Sequence, residues 1–283
     1  MTIAVTAATG QLGSLVIDAL LDRTTPDKII AIARDAAKAE PLAAKGVEVR
    51  IASYDDPTAL KDALAGVDKV LLISGSEVGK RVDQHRNVIE AAIANDVSQL
   101  VYTSVLKADT TTVPVVPEHL ATEQYLAGAG IDHVLLRNGW YNENYAQTLD
   151  TARQTGSVLT SAGDGRIASA ARADFAEAAA VVLTTDGPVK PVYELSGDVA
   201  WTQDELAATL SDVLGTTVTT TQVSPEQHAS ILVDAGLDEG TAGFVADIDV
   251  ATAKGDLAYS NGDLRDLIGR PTTPLAESLR TLV

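Results

Sequence analysis

The chain has no cysteine, which excludes disulfide staples, thiolate metal sites and cysteine nucleophiles. Aromatic residues are scarce, at 2 Trp, 2 Phe and 7 Tyr, so any local concentration of them is informative. Positive charge is in short supply too. The 21 Lys and Arg stand against 39 Asp and Glu, a formal net charge of −18. A field of that sign repels nucleic-acid backbones and anionic lipid surfaces, so neither is an expected partner. An anion-binding pocket in such a protein must be locally positive, and an Arg or Lys beside one gains weight. No apolar run approaches the roughly 20 residues of a membrane span. The start, Met1-Thr2-Ile3-Ala4-Val5, lacks the basic and apolar pattern of a leader, and the expected setting is cytoplasmic. What the chain does have is apolar bulk. With 46% hydrophobic residues over 283 positions, it can bury a large core as one domain or as a large and a small one.

Short aliphatic or β-branched runs recur at 3–5, 28–33, 47–51, 69–74, 99–104 and 133–136. Between them lie stretches with helical spacing, such as Val16, Ile17, Leu20, Leu21 and Val88, Ile89, Ala92, Ile93. Strand and helix alternating at this interval predict an α/β fold, a doubly wound parallel sheet covered by helices on both faces with right-handed crossovers. Asp55-Asp56-Pro57 and Thr202-Gln203-Asp204-Glu205 read as helix starts. After about residue 150 the rhythm changes. The turn-rich Ser161-Ala162-Gly163-Asp164-Gly165 precedes a helix near 173–183, strands near 192–195 and 218–222, and a mainly helical, acidic final third. The expected division is residues 1–150 as a nucleotide-binding domain and 151–283 as a smaller lobe, with some segments returning to the sheet. That lobe would close over the carboxyl ends of the strands.

The most specific local feature is Thr6-Ala7-Ala8-Thr9-Gly10-Gln11-Leu12-Gly13, directly after the apolar Ile3-Ala4-Val5. A buried strand that turns through a glycine-bearing loop into a helix offers unpaired N–H groups and a dipole end to an anion, the usual seat of a dinucleotide pyrophosphate. Read alone, such a loop is often only a tight turn. The second strand run adds information because it ends in Arg34, with Lys38 one helical turn further on. An acidic residue at that tip suits the ribose 2′-hydroxyl of NAD, whereas a guanidinium suits a 2′-phosphate, so NADP is favoured. The plainer reading of Lys38 is a solvated surface lysine.

These residues, together with Ile73-Ser74-Gly75-Ser76-Glu77-Val78-Gly79, Tyr102-Thr103-Ser104 and above all Leu136-Arg137-Asn138-Gly139-Trp140-Tyr141-Asn142-Glu143-Asn144-Tyr145, resemble the NmrA-like atypical short-chain dehydrogenase/reductases. Within that family the sequence is similar to the bacterial NAD(P)H:quinone oxidoreductases, and the similarity runs on through 162–169 and 269–273. The resemblance implies a Rossmann-type fold, NADPH as cofactor with NADH as second choice, no flavin, no metal, and a small-molecule quinone as partner. A homodimer is left open. The residues assigned to the cofactor on these grounds are Thr6, Ala8, Thr9, Gly10, Gln11, Leu12, Arg34, Lys38, Ser53, Ser74, Gly75, Thr103 and Ser104. Two positions depart from the family pattern. Ala7 stands where relatives carry the first loop glycine, and Ser53 replaces an Asp that commonly contacts adenine.

The chemistry is constrained by what is missing from a short-chain dehydrogenase. No Tyr-x-x-x-Lys occurs, and His119-x-x-x-Glu123 occupies the corresponding region. Reduction of a simple ketone thus lacks its proton donor. Reduction of a quinone does not need one, because hydride addition gives an aromatic phenolate that water can protonate, a phenol having a pKa of about 10. Trp140, Tyr141 and Asn144 are the candidate substrate residues, since flat rings bury well on aromatic faces. The catalytic candidates are Asn138, Tyr141 and His119. Packing explains at least one member of the Trp140, Tyr141, Tyr145 cluster, and a helix-start histidine is the simpler reading of His119. Two other readings stay open, a nucleotide-sensing regulator without turnover and a reductase of another conjugated acceptor.

Overall fold

The computed structural model describes residues 1–283. The first elements in chain order are β1 (Ile3–Val5), α1 (Gln11–Leu21), β2 (Ile29–Ala33), α2 (Ala36–Ala44), β3 (Glu48–Ile51), α3 (Pro57–Ala63), β4 (Lys69–Leu72), α4 (Arg81–Ala94), β5 (Gln99–Val105), α5 (Val116–Gly128) and β6 (His133–Asn138). There follow α6 (Ala146–Thr155), β7 (Ser157–Thr160), β8 (Arg166–Ile167), α7 (Arg172–Thr184), β9 (Val192–Leu195), β10 (Trp201–Thr202), α8 (Gln203–Leu214) and β11 (Thr219–Gln222). Four helices complete the chain, α9 (Pro225–Asp234), α10 (Glu239–Ala253), α11 (Asp263–Ile268) and α12 (Leu275–Arg280).

Seven strands form one sheet in the order β3-β2-β1-β4-β5-β6-β9, and every neighbouring pair from β3 to β6 is parallel. The apolar runs of the sequence make the inner strands because a parallel sheet is buried on both faces there, whereas the edge strands β3 and β9 keep half-buried or exposed positions. On one face Ala4, Ile30, Ile32, Val70, Leu72 and Leu100 pack with Leu60 of α3, Val88 and Ile89 of α4, and Leu126 of α5. From the other side α1 and α7 pack on each other and on β1 and β4. The order reverses between β1 and β4. A crevice opens beyond strand ends at such a switch point, where open α/β sheets hold ligands.

By contact density the chain forms two compact units, one of residues 1–108, 117–138 and 172–193, the other of 109–116, 139–171 and 194–283. The chain passes between the units several times, and residues 172–193 lie in the first. The physical reason lies in α7, where Phe175, Ala176, Ala178, Ala179, Ala180, Val182 and Leu183 are all buried. A helix apolar on most of its surface needs partners on more than one side, and α1 is one of them. The second unit has two small sheets, parallel β7–β11 and antiparallel β8–β10. Three of its helices start on side-chain caps, Thr202 for α8, Ser224 for α9 and Asp238 for α10. No helix of the chain is long and apolar enough to cross a membrane.

Candidate functional site

The loop from β1 to α1 is shaped by two glycines and one strained alanine. Ala7 sits at φ +48°, a left-handed conformation that costs a residue with a Cβ about 1 kcal/mol or more. It turns the chain so that the Gly10 N–H donates to the Ala7 carbonyl at 2.9 Å. A Cβ on Gly13 would lie 2.3 Å from that carbonyl oxygen, so only glycine lets α1 approach the loop this closely. α1 begins at Gly10 with no side-chain cap and no acidic residue in its first turn. The N–H groups that open a helix lack intrahelical partners, and here no side chain takes them.

These groups face a cavity of about 680 Å³. Its walls come from the loop and first turn of α1 (Ala7, Thr9, Gly10, Gln11, Leu12, Gly13), from the end of β2 and start of α2 (Arg34, Asp35, Lys38), from Ser53 and Tyr54 beyond β3, and from Ser74, Gly75, Ser76, Glu77 and Gln84 beyond β4. Cations, an uncapped helix end and an aromatic ring thus share one crevice in a strongly acidic chain. Tyr54 is fixed there. Its hydroxyl bonds Thr6 Oγ1 at 2.5 Å and donates to the Ile73 carbonyl at 2.8 Å, and burial pushes its pKa up.

Of the residues assigned to a nucleotide from sequence, Thr9, Gly10, Gln11, Leu12, Arg34, Lys38, Ser53, Ser74 and Gly75 line this cavity. Thr6, Ala8, Thr103 and Ser104 do not, and each has a structural use. Thr6 and Ala8 are fully buried, and Thr6 Oγ1 donates to the Leu71 carbonyl and accepts the Ile73 N–H, tying β1 to β4. Thr103 Oγ1 accepts the Ser74 N–H at 2.9 Å. Ser104 Oγ donates to Glu123 Oε1 at 2.5 Å, and Glu123 is held by Arg137 through two bonds of 3.0 and 2.7 Å. Glu123 and Arg137, both buried, complete each other as a forked ion pair.

A polar cluster behind the cavity went unread in the sequence. The Gly75 N–H donates to His85 Nε2 at 3.0 Å, and its carbonyl accepts Arg81 Nε at 2.7 Å. With Nε2 an acceptor, Nδ1 carries the proton and faces Thr122 Oγ1 at 2.9 Å, whose own hydroxyl donates to the Glu118 carbonyl. Burial, aided by the charge of Arg81, lowers the His85 pKa to about 4 and keeps the ring neutral. His119 Nδ1 lies 2.8 Å from the Tyr102 hydroxyl, and burial first, then Arg81, brings its pKa down to about 3. Burial likewise raises Tyr102. His119 is thus a buried partner of Tyr102, not a solvent-facing acid. Asp35, Tyr54, Glu77 and Gln84 were also missed as lining residues. For Asp35, Tyr54 and Glu77 the one signal was position just beyond the carboxyl end of a strand, while Gln84 reaches the cavity from inside α4.

In the second unit, Trp140 and Tyr141 are half-buried and Asn144 is exposed, whereas Tyr145 is buried edge-on against Trp201 with ring centroids 5.0 Å apart. Asn142 is fully buried, accepting Ser169 Oγ at 2.5 Å and donating to Ser278 Oγ at 2.9 Å. Tyr145 and Asn142 serve the packing of this unit, while Trp140, Tyr141 and Asn144 keep accessible surface. No cluster of His, Asp and Glu suited to a metal ion is found.

Fold and crevice together define a Rossmann-type α/β protein with an anion-ready pocket at its switch point. The chain belongs to the NmrA-like family, whose sequence profile matches residues 1–255. It is 50% identical over 280 residues to Quinone oxidoreductase 2 of Escherichia coli, covering 99% of this chain and 98% of that protein. The crystal structure of the NADPH-dependent quinone oxidoreductase QOR2 from Escherichia coli complexed with NADPH superposes with a TM-score of 0.96, at 50% identity and 99% coverage of both chains. The Citrobacter sp. triphenylmethane reductase complexed with NADP(H) gives 0.95 at 40% identity, with 100% of both chains covered.

Proposed function

We propose that this chain is an NADPH-dependent quinone oxidoreductase that delivers hydride directly to a quinone and leaves the final protonation to water. The observation that carries the reading is the uncapped amino end of α1 in the same cavity as Arg34 and Lys38, which matches a pyrophosphate and a 2′-phosphate. The Escherichia coli relative, named for quinone reduction and bound to NADPH in its crystal structure, supports it at 50% identity. When bound, NADPH supplies a hydride from C4 of its nicotinamide. The chain's own part is to bind and orient. Gln11, Leu12 and Gly13 offer N–H groups to pyrophosphate beside Gly10, whose own N–H is held by the Ala7 carbonyl, Arg34 and Lys38 pair with the 2′-phosphate, and Ser53 and Tyr54 border the adenine. Thr103 acts through Ser74, which it holds by the backbone, and Ser104 through Glu123.

The quinone is assigned to Trp140 and Tyr141 with Asn144, and its oxygen to Asn138 or Tyr141. The quinone takes up the hydride with its two electrons, and the single proton that completes the hydroquinone comes from solvent. His119 stays neutral from pH 5 to 9 and supplies none. The cofactor residues and Asn138 belong to the first unit and Trp140, Tyr141 and Asn144 to the second, and the setting assigned is cytoplasmic.

The test follows absorbance at 340 nm with purified protein, NADPH, a benzoquinone, a naphthoquinone and a simple ketone. Quinone-dependent loss of NADPH with an inert ketone is expected. Saturable NADPH binding without turnover on any acceptor would overturn the reading in favour of a nucleotide sensor.

A further inference from the structure

Arg34 is not waiting alone for an anion. Its Nη1 lies 3.3 Å from Glu77 Oε1, and Glu77 Oε2 lies 2.9 Å from Lys80 Nζ, with Gln84 Nε2 donating to Oε1 at 3.4 Å. Glu77 and Arg34 both line the cavity. The segment that carries Glu77 is pinned on both sides. Ser74 is held by Thr103, the two polar groups of Gly75 by His85 and Arg81, and the Gly79 and Arg81 N–H groups by Glu118 Oε1 at 2.9 and 3.2 Å. A carboxylate is therefore delivered to the group expected to read the nucleotide's 2′ position.

An ionised carboxylate only accepts hydrogen bonds. It welcomes a ribose 2′-hydroxyl, which donates, and repels a 2′-phosphate, which cannot. Resting on the nucleotide reading above, we infer that Glu77 is a second specificity determinant of this site, accepting the 2′-hydroxyl of NADH and opposing the 2′-phosphate of NADPH. Arg34 and Lys38 read the phosphate, while Glu77 reads the hydroxyl from the other wall. Its two cationic partners give it somewhere to go. When a 2′-phosphate takes Arg34, Glu77 keeps Lys80. Their side chains are 67% exposed for Arg34 and 36% for Glu77, so the ion pair is screened by water and easily exchanged. The pocket therefore discriminates between the two cofactors less sharply than its cations alone would make it.

The experiment is calorimetric titration of NADP⁺ and NAD⁺ into the wild-type protein, Glu77→Gln and Glu77→Asp, with melting temperatures taken in parallel. Glu77→Gln should bind NADP⁺ about five- to tenfold more tightly, as expected when one negative charge is removed beside a dianion in water. It should bind NAD⁺ at least about threefold more weakly, on loss of a charge-assisted bond. Glu77→Asp keeps the charge and should stay within about twofold of wild type. Equal ratios of the two affinities in wild type and Glu77→Gln, or both affinities moving together, would overturn the inference while leaving the nucleotide site intact. Failure of the wild-type protein to bind either dinucleotide would instead overturn the nucleotide reading, and the inference with it.

Discussion

Two helices bring their amino ends to the cavity, and they are finished in opposite ways. α2 starts at Asp35, whose carboxylate accepts the N–H groups of Ala37 and Lys38. α1 starts at Gly10, where no side chain covers the first turn. The end at α2 has spent its backbone donors within the protein, and its attraction for anions rests on the side chains of Arg34 and Lys38. The end at α1 keeps its donors and has no cationic side chain in its first turn. One crevice thus offers two kinds of positive site, a fixed one made of backbone and a mobile one made of side chains. A pyrophosphate common to every dinucleotide fits the first, and the phosphate that distinguishes NADPH fits the second.

The largest expected effect comes from making the two ends alike. Gly10→Asp gives α1 an internal carboxylate, as Asp35 does for α2. NADPH binding measured by calorimetry should weaken about fiftyfold or more, as for loss of charge-assisted hydrogen bonds. The melting temperature should hold or rise slightly, because Asp caps a helix somewhat better than Gly. A Cβ there meets the Ala7 carbonyl oxygen at 3.1 Å, so the loop backbone must give by a few tenths of an ångström. Arg34→Ala removes the side-chain half of the comparison. It should cost NADPH about ten- to a hundredfold in affinity and leave NADH nearly unchanged, erasing the preference. Unchanged preference would contradict the pocket assignment.

The wall that holds Gly75 depends on neutral histidines and gives a pH signature. His85 and His119 are depressed to about 4 and 3 in the folded protein, below the ordinary 6.5 of the unfolded chain. Between those values the unfolded state binds more protons, so folding stability falls as pH drops below about 6.5, by up to about 1.4 kcal/mol per pH unit for each histidine. Denaturant midpoints at pH 7.5 and 5.5 measure this, and His119→Gln, which keeps an acceptor for Tyr102, should remove its share of the slope. The smallest effect is expected at Ala7. Ala7→Gly relieves the left-handed strain and should raise stability by about 1 kcal/mol in chemical unfolding, with the cavity otherwise unchanged.

Most of the sheet was readable because β1, β2, β4, β5 and β6 are largely buried and stand out as apolar runs placed to within a few residues, while the edge strand β3 is half-exposed and mixes apolar with charged residues. Arg34 was readable because a glycine loop after β1 fixes where the tip of β2 must lie. Other features depend on contacts between distant segments. Thr6 and Ala8 belong to the loop motif, yet they turn inward because the strand continues as far as the bonds from Thr6 to Leu71 and from Ala8 to Ile32. Thr103 and Ser104 are claimed by Ser74 and Glu123, partners on other elements that no spacing rule reveals. That His85 holds Gly75 is set by the fold and not by the residues around it. The sequence predicts that some segments after residue 150 return to the sheet without saying which, since an alanine-rich helix such as that within 172–193 does not say which layer it will fill.

The contrast between the two helix ends can be observed atom by atom in a nitrogen-15 labelled sample titrated with NADPH. The amide resonances of Gln11, Leu12 and Gly13 should shift strongly as their N–H groups take up pyrophosphate, while those of Ala37 and Lys38, already bound to Asp35, should stay nearly still. Shifts of equal size at both ends, or shifts confined to α2, would contradict the contrast.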